Sequence, residues 1–285
     1  MNKILGLIIL LVAGITAQAQ DIYGEATYFS KAAIDKSFLE GNRDINPEQR
    51  KRIEENLKKA SEKTFVLKFN RSESVWIEEV ALAAPSQGRG GWGNFMGSAM
   101  GGEKYKDITS NTFTEQRDMM GKTFLIKDDL PVLDWQITGE TRQIGNYTAI
   151  KATAVKKNDA LDMSAFRRRR GNDNEKKKEE DGETSLTDMI EKDENTTVTA
   201  WFTPQIPVQH GPAEYGGLPG LILELNANNT TMLCTKIALN PDSRSDIEPA
   251  TKGEEIKLEE YNTTFQQKME EMAQRFRGRG GRGRN

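Results

Sequence analysis

The chain has 285 residues, of which 40 are Lys or Arg and 43 are Asp or Glu, for a formal net charge of −3. That near balance excludes a general nucleic-acid binder, which would carry a basic excess. A single histidine, His210, and a single cysteine, Cys234, exclude multi-histidine metal centres and any intramolecular disulfide.

The N-terminus carries an export signal. Met1-Asn2-Lys3 is a short basic start, Ile4 to Ile15 is an apolar run, and Ala17-Gln18-Ala19 is a small-x-small cleavage site. Residues 1–19 are therefore expected to be a signal peptide. The apolar run is shorter than the ~20 residues needed to cross a bilayer. No cysteine follows it to take a lipid, and no transmembrane segment is expected further on. The expected location is the periplasm or the outer membrane, or outside the cell.

Residues 20–262 read as one β-rich domain. Ile22 to Phe29 is a first strand. Asn46, Pro47 and Gln49 then carry the N-cap, first-turn proline and capping-box partner of a helix. Ile53, Leu57 and Ala60 give that helix a narrow apolar stripe. Short strands follow at 64–70, 74–78, 105–108, 112–115, 122–126, 135–137, 147–152 and 198–202, and two more flank Asn226 to Asn229. Such a series with turn residues between predicts an antiparallel sheet. Thr263 with Gln266 predicts the cap of a last helix, with Phe265, Met269, Met272 and Phe276 on one stripe. Three segments break the pattern. Residues 86–102 are Gly-rich and read as a flexible loop. Residues 164–196 are a charged run expected to be disordered, opening on Arg167 to Arg170. From Arg275 an Arg/Gly-rich tail closes the segment 263–285. The two Arg-rich stretches are the candidates for contact with polyanions, not with nucleic acid specifically.

The most specific run is Gly217-Leu218-Pro219-Gly220-Leu221-Ile222. Pro219 at the second position of a turn and Gly220 at the third predict a type II turn with positive φ at Gly220. A strand then alternates, with Leu221, Leu223 and Leu225 on one face and Ile222 and Glu224 on the other. This hexapeptide is the name-giving motif of the GLPGLI family of secreted Bacteroidetes proteins, which the chain resembles. The likeness extends to Trp201-Phe202-Thr203-Pro204-Gln205-Ile206-Pro207-Val208 with Gly211-Pro212, and to Trp135-Gln136-Ile137 with Ile144-Gly145-Asn146-Tyr147 and Lys151-Ala152. Phe65 to Phe69 and Phe124 to Ile126 add to it. Relatives often carry a cysteine between that Tyr and the Lys-Ala pair; here the place holds Ala149. The family has no established biochemical role. The expected architecture is mainly β with flanking helices, a curved antiparallel sheet wrapped over helix, similar to the half-barrel of periplasmic lipoprotein carriers.

No catalytic residue, metal ligand or cofactor site stands out. His210 sits before the motif in what reads as a solvent-exposed loop, and Cys234 reads as a buried structural thiol. The expected function is an exported cell-envelope binding or accessory protein that holds an apolar small molecule or docks an outer-membrane protein. Trp135, Trp201, Pro207, Tyr215 and Leu218 are its candidate contact residues, and Trp76 shares the concavity with Trp135 and Trp201. The alternatives are a carboxylate-dependent envelope hydrolase and a structural accessory of an outer-membrane transport system.

Overall fold

Twelve strands form one open, curved sheet in a computed structural model that describes residues 22–33, 46–79, 101–157, 195–244 and 246–280. The strands are β1 (Gly24–Ala32), β2 (Glu62–Phe69), β3 (Glu73–Glu78), β4 (Lys104–Asp107), β5 (Thr112–Met119), β6 (Lys122–Asp129), β7 (Gln136–Ile144), β8 (Tyr147–Lys157), β9 (Asn195–Thr203), β10 (Leu221–Ala227), β11 (Thr230–Leu239) and β12 (Glu254–Ile256). Their order is β12-β6-β5-β4-β3-β2-β1-β11-β10-β9-β8-β7. Every pairing is antiparallel except β12 on β6, which makes the sheet mixed. The sequence shows no trace of β12, because three residues are too few to carry a period.

Local chemistry explains the hairpins. Asn228 and Asn229, at φ of 48° and 59°, are the two-residue turn between β10 and β11. Met120 and Gly121, at 53° and 80°, turn β5 into β6. Both pairs have the doubly positive φ that matches strand twist. The first helix, α1 (Pro47–Ser61), starts as its sequence predicts. The Asn46 side chain accepts from Gln49 N at 2.8 Å, and the Gln49 side chain accepts from Asn46 N.

The last helix, α2 (Leu258–Gly280), starts earlier than the Thr263 cap predicts. Asp128 of β6 accepts from Leu258 N at 3.2 Å, so the cap comes from across the sheet. Thr263 lies inside the helix and donates back to Glu259 O at 3.0 Å. Tyr261 and Phe265 are buried with Met119, Phe124 and Ile126 in a small cluster of their own. The backbone of Arg275 to Gly280 continues this helix. The Gly-rich loop lies outside the described residues apart from Gly101 and Gly102. The charged insertion lies outside them too, except for its last two residues, which open β9.

The expected sheet wrapped over helix takes a different form. The described side chains of α1 are exposed or half-buried, and α2 packs on β6. The inner face is covered instead by the connection between β9 and β10. Its Ile206, Val208, Ala213, Tyr215 and Leu218 share one buried cluster with Tyr28, Leu67, Phe69 and Trp76 on one flank and Ala152, Ala200 and Phe202 on the other.

Candidate functional site

Residues 204–220 leave β9, cross the inner face and return as β10. Backbone hydrogen bonds fold them into a compact unit. Leu221 N donates to Ile206 O at 3.0 Å, Ile222 N to His210 O at 3.1 Å, and Gly217 N to Gln209 O at 3.0 Å. Tyr28 of β1, fully buried, donates its hydroxyl to Ile222 O at 2.6 Å.

Positive φ falls on Gly217 of the motif and not on Gly220, where it is predicted. Gly217 carries the positive φ, 85°, with open space around it. Gly220 has no positive φ. A Cβ there would lie 2.2 Å from Thr203 O, so the glycine is needed for close backbone approach. The type II turn is replaced by a tighter one about Pro219, with Gly220 N donating to Leu218 O at 2.8 Å. The alternation of β10 is also interrupted. Ile222 pairs with Phe202 and Glu224 with Trp201, leaving Leu223 as the extra residue of a bulge. Ile222 and Leu225 therefore share the inner face, each beside its β9 partner, Phe202 or Ala200.

Polar side chains from both flanks hold this loop. On β4, Lys106 is 2% exposed and its Nζ donates to Gly211 O at 2.9 Å and Tyr215 O at 2.7 Å. Register explains why it faces inward. Phe69, Ser74, Lys106 and Phe113 form one cross-strand row, and Leu67, Trp76, Lys104, Glu115 and Ile126 form the next. From β8, Lys156 pairs with Glu214 at 2.6 Å and stands 5.1 Å above the Tyr215 ring. Glu115, 1% exposed, is flanked by Lys104 at 2.6 Å and Arg117 at 2.8 Å.

Burial sets the protonation of these groups. It pushes the Lys106 ammonium down to about 7, with Lys104 acting in the same sense and Glu214 against it. His210 is wholly buried, not the exposed loop residue its sequence context suggests. Burial and the Lys106 charge push it down to about 3, while the Asn70 backbone acts weakly the other way. Neither ring nitrogen makes a hydrogen bond of normal geometry. For Glu214, burial works upward, but Lys156 and Lys104 outweigh it and hold the carboxyl down at about 2. Cys234 is half-buried, and burial raises its thiol to about 12, which leaves it a poor nucleophile. Among the described residues, no cluster of three or more His, Cys, Asp or Glu is placed to hold a metal ion.

The structure separates the candidate contact residues. Trp135, Tyr215 and Leu218 come together, with Trp135 Nε1 donating to Gly216 O at 2.9 Å. Tyr215 and Leu218 are 5% and 1% exposed, so both are core of the loop. Trp201 faces away from its neighbour Phe202, with the Arg142 guanidinium 4.0 Å from its ring centre. Pro207 is exposed and stands apart, and Trp76 is buried against Tyr28 and Phe65. Lys106, Glu214 and Lys156 carry no signal in the sequence, where a charge in a strand reads as solvent-facing.

Residues 135–224 match a family described as a protein of unknown function, Porph_ging. That segment contains β7 to β9, the whole loop and the motif, so the match falls on the part of the chain that fills the inner face. No curated protein matches the chain. Two solved structures of PNGF-II, in C2 and P21 space groups, are similar at 14% identity and a TM-score of 0.45. The alignments cover 85% and 87% of this chain and 32% of each PNGF-II chain, so the chain spans about a third of their length.

Proposed function

We propose that this chain is an exported, non-catalytic binding protein of the bacterial cell envelope, of the GLPGLI type, that docks an outer-membrane protein partner. The observation that carries this reading is the filled inner face. A carrier of an apolar molecule needs that surface empty, and here Ile206, Val208, Tyr215 and Leu218 occupy it. Lys106 and Lys156 are spent on holding the loop, which favours scaffold over catalysis. Nothing favours the carboxylate hydrolase, since Glu115 and Glu214 are each engaged by cations. Docking is supported by β7, mostly exposed and at the end of the sheet with no described strand on its outer side. Export is supported by the features of residues 1–19, and the family reading by the motif inside the matched segment.

Native mass spectrometry of the protein purified from its own envelope tests this reading. A mass beginning at Gln20 with no apolar adduct is expected. A discrete adduct removed by organic extraction would overturn the docking reading in favour of a carrier. A mass that retains Met1, with the protein in the cytosolic fraction, would overturn export.

A further inference from the structure

A cleft of about 380 Å³ opens where β1 begins, between the β2–β3 turn and the segment after β11. Tyr23, Asn70, Arg71, Ser72, Arg244 and Asp246 are among its lining residues. Arg117 and Arg142 elsewhere in the sheet are committed to ion pairs with Glu115 and Glu224. Arg71, Arg244 and Asp246 make no ion pair or side-chain hydrogen bond with a described residue, although all three line one cleft.

Hydrogen bonds fix the turn on one side of the cleft and the Tyr23–Asn240 contact at its base. The β2–β3 turn that presents Arg71 is built on Asn70, whose Oδ1 accepts from Ser72 N at 2.8 Å and Glu73 N at 2.6 Å. Its Nδ2 donates to Glu73 at 2.9 Å, and Tyr105 donates to the same carboxylate at 2.5 Å. At the base, Asn240 and Tyr23 exchange two hydrogen bonds. Tyr23 N donates to Asn240 Oδ1 at 3.1 Å, and Asn240 N donates to Tyr23 O at 2.8 Å. The Arg244 guanidinium lies 5.8 Å from the centre of the Tyr23 ring.

We propose that this cleft binds the oxyanion group, carboxylate or phosphate, of a small hydroxylated molecule. Arg71 and Arg244 are its cationic contacts, and Asp246 accepts from a ligand hydroxyl. Two guanidinium groups offer paired donors that match an oxyanion's geometry. The preformed turn lowers the ordering cost of binding. The volume exceeds what a bare ion needs and suits a molecule the size of a sugar acid or sugar phosphate. This site stands independently of the docking reading and does not involve the loop on the inner face.

Titration calorimetry of the mature protein with D-glucuronate, D-glucose 6-phosphate and neutral D-glucose tests it. At least one of the two anions is expected to bind at millimolar concentration or below, with affinity that falls as salt is added. The stronger of the two identifies the headgroup. The double variant R71A/R244A is expected to lose at least about tenfold in affinity, with an unchanged melting curve because both side chains are exposed. No binding of either anion, equal binding of glucose, or unchanged affinity in the double variant would overturn the proposal.

Discussion

Lys106→Met tests whether the loop is held by a buried amine whose charge is costly. In the folded chain Lys106 is pushed down to about 7 from its ordinary 10.5. Between those pH values the unfolded chain binds more protons than the folded one, so stability rises with pH through that window. At ~1.4 kcal/mol per pH unit the full effect is about 5 kcal/mol from pH 7 to pH 10.5. Local relaxation and water entry around a buried ion reduce this, and at least ~2 kcal/mol is expected to remain measurable. The neutral amine still donates to Gly211 O and Tyr215 O, so both bonds persist at the alkaline end. Methionine keeps the length and the apolar stem but leaves two buried carbonyls unpaired, at about 1–3 kcal/mol each. Two opposing changes follow. The variant is less stable than the parent at pH 10, and the gap narrows as the pH falls to 7. Urea unfolding of both proteins at several pH values from 7 to 10 measures the difference, in which other titrating groups cancel. Parallel stability curves would refute the reasoning, because they would mean that Lys106 keeps an ordinary proton affinity in the folded state.

Gly220→Ala is expected to cost at least ~2 kcal/mol, since its Cβ would meet the Thr203 carbonyl at 2.2 Å and backbone cannot yield cheaply. Gly217→Ala is expected to cost about 1 kcal/mol, for its positive φ alone; thermal melts of the two variants rank them. His210→Leu is expected to flatten the acid limb of stability. With the folded value near 3 and the ordinary value at 6.5, stability falls as pH drops through that window, and the variant lacks that slope. Urea midpoints at pH 4 and pH 6.5 for parent and variant measure it. Asp128→Ala removes the cap on Leu258 N and is expected to cost about 1 kcal/mol and lower the helical circular dichroism signal.

Most strand positions, the α1 cap and the hairpin turn between β10 and β11 are local properties, and residues close in sequence determined them. Asn46 with Gln49 needs three residues of context, and Asn228-Asn229 needs two. The mainly β class follows from the strand series for the same reason. The site was legible only in part. The motif marks the loop, and Trp135, Tyr215 and Leu218 meet within it. Long-range contact decided the rest. Lys106 faces inward because its row is set by register with Ser74 and Phe113, and it is buried because a loop far along the chain, with Gly211 105 residues on, lies on it. His210 is core for the same reason, and Trp201 is not in the site because β9 turns it to the other face. Gly220 shows the limit most directly. Its local signature is that of a turn residue, yet what requires glycine is the Thr203 carbonyl beside it, an approach that exists only once β9 and β10 have paired.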